Sequence, residues 1–236
     1  MHCLSTWERM HLACPDYRSY SDSLRRSNPA TSANPRQGTI QPIGWHSRGY
    51  LPHFDGGNEL IQTVTFRLCD SLPQMLFDQW DHDKTQFTPA LAEKEWRKRI
   101  EGCLDSGYGN AWLKSPALAG IVQAAMLFFD GTRYRLHAWV VMPNHVHAVL
   151  TPKTAFDLGS ILHSWKSYTA SKCNELLGRD GSFWQKEYFD RFIRDQLHFE
   201  RAVAYVEFNP VKAGRCETPE DWQWGSAHWR CHSGTH

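Results

Sequence analysis

The stretch Tyr134–Thr151 reads YRLHAWVVMPNHVHAVLT, and its reading decides the fold. Tyr134–Met142 and His145–Thr151 are two apolar, β-branched runs, and Pro143 and Asn144 supply the turn between them. On a strand, residues two apart share a face, so His145 and His147 project together while Val146 and Ala148 anchor the other side. Imidazoles placed this way can converge on one divalent ion, with an amide or carboxylate oxygen from elsewhere completing the site. The same pattern also suits two hydrogen-bonded structural histidines, or one that covers a sheet edge. Taken alone, the pair leaves both readings open.

Working outward, Ile61–Leu68 reads as a first strand, with Val64, Phe66 and Leu68 facing one way and Thr63, Thr65 and Arg67 the other. Leu91–Leu104 is helical, carrying Ala92, Trp96, Ile100 and Leu104 at a spacing of four. Ser115-Pro116 opens a second helix, which Gly131 closes. A long helix from Asp157 to Leu177 presents Leu158, Ile161, Leu162 and Trp165 on one face and stops at Gly178. Glu187–Asp195, EYFDRFIRD, is a fourth strand. Asp195 caps a last helix, Gln196–Phe208, which ends where Asn209 meets Pro210. With the first two helices merged into one crossover, the order is β-α-β-β-α-β plus an extra helix. That is an α+β, ferredoxin-like split βαβ, with an antiparallel sheet, helices on one face and a further C-terminal helix.

The 236 residues suit one domain with appendages: residues 1–40 as a disordered extension and 49–230 as a single domain. A net charge of +1 does not announce a polyanionic partner. Between Gly131 and Cys216, however, twelve Lys/Arg stand against eight Asp/Glu, a local excess of four positive charges that hints at an anionic ligand. The seven cysteines are scattered, with neither zinc-ribbon nor disulfide-scaffold spacing. No signal peptide or run of about 20 apolar residues is present, so the expected protein makes no membrane contact and is cytoplasmic.

The last helix adds to the histidine pair. His198, Arg201, Tyr205 and Asn209 follow one another by three, four and four residues and form one polar stripe. Phe199, Ala202, Val203 and Val206 form the opposite, apolar side. A tyrosine and an amide one turn apart suit a nucleophile and a third metal ligand. They also fit an amphipathic helix whose tyrosine packs at the core margin, which periodicity by itself favours.

AWVVMPNHVHAVL, SWKSYTASKCNELLGRDGSFWQKEYFDRFIRD and AYVEFNPVKAG together resemble the REP-associated tyrosine transposases. These are single-tyrosine members of the HUH (His–hydrophobe–His) group, and the resemblance runs from about Gly49 to Trp229. It implies the HUH endonuclease fold, with His145 and His147 as metal ligands, Asn209 as the third, and Tyr205 as the nucleophile. The implied activity is metal-dependent cutting and rejoining of single-stranded DNA beside a hairpin, with Mg²⁺ or Mn²⁺, through a covalent 5′-phosphotyrosine. The alternative is a non-catalytic or domesticated hairpin-binding protein. Arg191, Arg194, Arg201, Lys166, Lys172 and Lys212 are candidate DNA contacts, and Trp165, Tyr168 and Trp184 candidate base-stacking groups. A positive charge near Tyr205 is expected to favour its phenolate. A homodimer, with the site completed in cis or in trans, stays open. A zinc hydrolase built on the histidine pair would need more ligands than the sequence offers.

Overall fold

A computed structural model describes residues 44–47, 52–55 and 59–233. The expectation for residues 1–40 lies outside the described residues. All the described residues belong to one unit of the chain, Pro42–His236.

Strands β1 (Gly44–Ser47) and β2 (Pro52–Asp55) form an antiparallel hairpin where the sequence reads only as a lead-in. Next come β3 (Gln62–Arg67), α1 (Gln74–Gln86), α2 (Pro89–Asp105), a 3-10 turn at Trp112–Lys114 and α3 (Pro116–Phe128). Then follow β4 (Tyr134–Val141), β5 (His145–Pro152), α4 (Leu158–Leu177) and β6 (Phe189–Phe192). The described chain closes with α5 (Gln196–Glu207), α6 (Asn209–Lys212), a 3-10 turn at Pro219–Asp221 and α7 (Ser226–Ser233). The sheet order is β4-β5-β3-β6 and all three pairings are antiparallel, which is the expected α+β, split βαβ arrangement.

β5 is central and buried on both faces, with apolar Val146, Ala148, Val149 and Leu150 set beside the buried His145 and His147. Val146, Ala148 and Leu150 join Val64 and Phe66 of β3 in the larger core. Leu118, Val122 and Met126 of α3 and Ile161, Leu162 and Trp165 of α4 cover that face. Full burial of such side chains contributes about 1.5–3 kcal/mol each. The opposite face presents Val140 and Val149, and Phe199, Ala202 and Val206 of α5 cover it. The two crossover helices thus share one face, and the tyrosine-bearing helix occupies the other.

β4 contains a bulge that alternation alone does not reveal. Leu136 pairs with Leu150 and Ala138 with Val149, leaving His137 as the extra residue. The bulge reverses which positions face which side: Tyr134, Leu136, Trp139 and Val141 all reach the larger core.

Local chemistry sets the helix ends. The Asp157 carboxylate accepts from the Ser160 N–H at the start of α4, and Gly178 ends it at φ +61°, a left-handed conformation suited to glycine. Helix α1, unforeseen in the sequence, packs Leu76 against Trp96, Ile100 and Leu104 of α2, and Trp80 stacks on Trp96 at 5.0 Å. The C-terminal segment covers the edge of β4: Val141 N–H donates to Trp224 O (2.8 Å) and Trp139 N–H to Ser226 Oγ (3.2 Å). Among the described residues no helix is long and apolar enough to cross a membrane.

Candidate active site

The site begins at the turn between β4 and β5. Met142 N–H donates to His145 O (2.8 Å), closing the turn. Leu68 N–H donates to Asn144 O (2.9 Å), and the Asn144 amide donates to Tyr108 O (2.9 Å). Asn144 is fully buried, so this turn is a fixed platform rather than a free loop. The Asn144 Oδ1 atom can only accept, so His145 donates Nδ1–H to it (2.8 Å) and keeps its Nε2 lone pair. One register position along, Thr65 of β3 lies opposite His147, and its hydroxyl hydrogen-bonds His147 Nδ1 (2.7 Å). Each imidazole is therefore oriented through its outer nitrogen, the arrangement that presents a histidine to a metal.

The two Nε2 atoms lie 3.0 Å apart, and Asn209 Nδ2 is 3.4 Å from His147 Nε2. α5 ends at Glu207, a residue earlier than the sequence indicates, and the chain re-enters helix at once as α6. Asn209 is therefore the first residue of α6, and its buried side chain is carried inward to the histidines. Its Oδ1 is buried with no hydrogen-bond partner. Burial holds both histidines neutral: His145 is lowered well below the ordinary range and His147 to about 3, with the Lys212 charge adding to both shifts. Two neutral imidazoles and an unsatisfied amide oxygen within reach fit a divalent cation. Among the described residues no group of three or more His, Cys, Asp or Glu side chains could hold a metal, so the zinc-hydrolase reading gains nothing.

Tyr205 meets His147 edge-on, with ring centroids 5.4 Å apart, and remains 38% exposed. Together with Thr63, Thr65, His198, Arg191 and Arg201 it lines a cleft of about 320 Å³. The expectation that positive charge would favour its phenolate is reversed. Burial pushes the phenol pKa up, and the Glu101 and Asp105 carboxylates of α2 push it further. Lys212 lies 5.7 Å from the ring centroid, but its ammonium is paired with Asp105 (3.0 Å). Glu101 and Asp105 were not singled out by sequence reasoning. The signal was available: they directly follow Ile100 and Leu104, on the rim beside the helix's apolar face.

The other candidates divide by place. Arg191 and Arg201 are exposed and line the cleft, and exposed Arg194 lies over Phe192, 5.4 Å from its ring. Lys212 belongs to the site itself. Lys166 does not: its ammonium donates to Gln185 O (2.7 Å) and Lys186 O (2.8 Å), and burial lowers its pKa to about 8. Lys172 is exposed on α4 and paired with Glu175 (2.9 Å). Trp165 and Trp184 are core residues whose indoles donate to Tyr134 Oη and Thr169 Oγ1, both at 2.8 Å, so neither is available to stack on bases. Tyr168 is exposed.

Residues 120–209 match the model of the family described as transposase, IS200-like. The segment similar to that family runs from within α3 to the first residue of α6. The curated relatives similar to the chain are REP-associated tyrosine transposases. The chain is 28% identical over 96 residues to the REP-associated tyrosine transposase of Escherichia coli K12, covering 40% of this chain and 55% of that one. A candidate member from Haemophilus influenzae is 24% identical over 98 residues, covering 37% and 56%. The chain spans about half the length of the curated relatives it matches. A solved REP-associated tyrosine transposase bound to a REP hairpin aligns with 81% of this chain and 87% of its own, at 19% identity and a TM-score of 0.48.

Proposed function

We propose that the protein cuts and rejoins single-stranded DNA beside hairpin or REP-type sequences, through a covalent 5′-phosphotyrosine on Tyr205. The observation that carries this reading is convergence. Tyr205 and Asn209, about sixty residues from the histidine pair and on a different element, meet it at one cleft. An amphipathic helix that merely covered a sheet would have no reason to bring a partnerless amide to two oriented imidazoles.

His145, His147 and Asn209 would hold a divalent cation, Mg²⁺ or Mn²⁺. When bound, such an ion supplies Lewis-acid polarisation of a phosphoryl oxygen. The remaining work belongs to the chain. Arg191 and Arg201 draw the phosphate backbone into the cleft. α5 holds the Tyr205 hydroxyl at its mouth for in-line attack. The phosphotyrosine retains the energy of the broken phosphodiester, so a 3′-hydroxyl can reverse the step and join strands without ATP.

The test is adduct formation on a panel of labelled single-stranded hairpins with Mg²⁺ or Mn²⁺. The parent should form a denaturation-resistant adduct that chelator prevents and Tyr205→Phe does not form. Hairpin binding that is equal with and without chelator, with no adduct in either metal, would instead establish a binding protein.

A further inference from the structure

We infer that Glu207 is a positioning residue, through which the C-terminal segment fixes the rotation of the helical turn that bears Tyr205 and Asn209. The assignment rests on the reading of those two residues given above. A helix advances about 100° per residue, so Tyr205 and Asn209, four apart, share one side of the turn, and Glu207, midway between them, points to the other. Phe208, the joint between α5 and α6, keeps helical dihedrals, and its N–H donates to Ala204 O (2.9 Å), so the turn moves as one piece. The Glu207 side chain is 12% exposed, and its Oε1 accepts from Ser226 Oγ (2.6 Å) and pairs with the Arg230 guanidinium (2.5 Å). Ser226 is fully buried, and its hydroxyl oxygen also accepts the Trp139 N–H of β4 (3.2 Å). Beside it, Val141 N–H donates to Trp224 O (2.8 Å) and the Trp222 indole donates to Val141 O (3.0 Å). The sheet edge, the C-terminal segment and the back of the tyrosine turn are thus joined by one chain of polar contacts.

Local chemistry gives no reason for a carboxylate at this place. The C-terminal end of a helix is its negative pole, where an acid is disfavoured and a cation favoured. A covered ion pair also contributes little net stability over an apolar pair of the same size. What the pair supplies is direction, because a hydroxyl and a guanidinium hold one carboxylate oxygen from fixed places. On the sheet side α5 rests on Phe199, Ala202 and Val206, apolar contacts that hold the helix down without fixing its rotation. Asn209 Oδ1 has no partner of its own, so its place depends on the turn that carries it. Rotating that turn by about 20° would swing a group roughly 6 Å from the helix axis through about 2 Å. Such a shift carries the Asn209 oxygen away from the histidines and the Tyr205 hydroxyl out of line. Ser226 and Arg230 lie beyond the segment that matches the transposase family model, which ends at Asn209.

The experiment takes two readouts from full-length proteins. One is Mn²⁺ affinity without DNA, from the EPR signal of the free ion; the other is single-turnover adduct formation on a labelled single-stranded hairpin at saturating Mn²⁺. Glu207→Ala and Arg230→Ala should each weaken Mn²⁺ binding by roughly 10-fold, the lower end for groups that act behind a metal ligand. Adduct formation should slow by roughly 10²-fold, as a displacement of about 1 Å does, with hairpin affinity held within about twofold. The double variant should be no worse than either single one, because both break the same contact. Glu207→Gln keeps the shape of the side chain and loses the charge pair, so it should show smaller losses in both readouts, and it decides the matter if the alanine variants do not fold. A merely structural pair would lower the urea midpoint and leave Mn²⁺ affinity and the adduct rate per folded molecule unchanged, and that result overturns the assignment. So do losses that add in the double variant. If Asn209→Ala binds Mn²⁺ no differently from the parent, or Tyr205→Phe forms as much adduct, the site reading itself fails and Glu207 with it. If both of those controls lose their function while the Glu207 and Arg230 variants match the parent, only the Glu207 assignment fails.

Discussion

The two faces of the central sheet are built from alternate residues of the same strands, yet they do different work. Under α3 and α4, β5 contributes Val146, Ala148 and Leu150, and the buried polar groups there are spent inside the core: Trp165 donates to Tyr134, and Trp184 to Thr169. Under α5, β5 contributes His145 and His147, whose inner nitrogens face each other beside an amide oxygen with no partner. A buried polar atom left unsatisfied costs roughly 1–3 kcal/mol. The first face spends polarity to hold the fold, and the second keeps it available for a ligand.

The sharpest way to break this contrast is to mutate both faces and read activity and stability together. His147→Ala should abolish adduct formation while changing the urea midpoint only modestly, since the imidazole's outer bond is to a single threonine. Trp165→Ala should cost about 3–5 kcal/mol of stability by opening a cavity beside Tyr134 and Phe66. If His147→Ala destabilises as much as Trp165→Ala and leaves the adduct intact, the histidines are structural and the contrast collapses.

A smaller effect follows from pH. Burial lowers His137, at the β4 bulge, to about 4, so between pH 4 and its unfolded value near 6.5 the unfolded chain binds the extra proton. Stability is fully present above about pH 6.5 and falls as the pH drops toward 4. His137→Gln should reduce that slope in urea titrations without removing it, because His145 and His147 are shifted in the same direction. An unchanged slope would mean that the bulged histidine is not shielded.

The smallest expected effect separates the cationic residues. Arg201→Ala should weaken hairpin binding and reduce its salt dependence by about one unit of slope, as loss of one phosphate contact does. Lys172→Ala, at an exposed pair on the far face, should leave both unchanged. Equal effects from the two would place the DNA elsewhere.

Much of the fold was legible because its signals are local. The paired apolar runs around Pro143-Asn144, the Asp157 cap, the Gly178 stop and the Asp195 cap each act within a few residues. The bulge at His137 was not, because it depends on how β4 meets its neighbour. Trp165 shows the same limit from the side of function: its place on an apolar helix face was readable, but not the tyrosine 31 residues earlier that satisfies its indole. Lys166 reads from sequence as a candidate DNA contact, and only the arriving 185–186 segment turns its ammonium inward.

By itself the sequence determined the strand pair, the shared face of His145 and His147, and the helical stripe bearing Tyr205, since each follows from backbone periodicity. Only the tertiary structure decided that α5 covers the histidine face and that a break after Glu207 turns Asn209 inward. It alone brought Glu101 of α2 to the phenol that positive charge had been expected to activate. Periodicity sets which residues share a surface, but packing sets which surfaces meet, and a site divided among β5, α5, α6 and α2 depends on the latter.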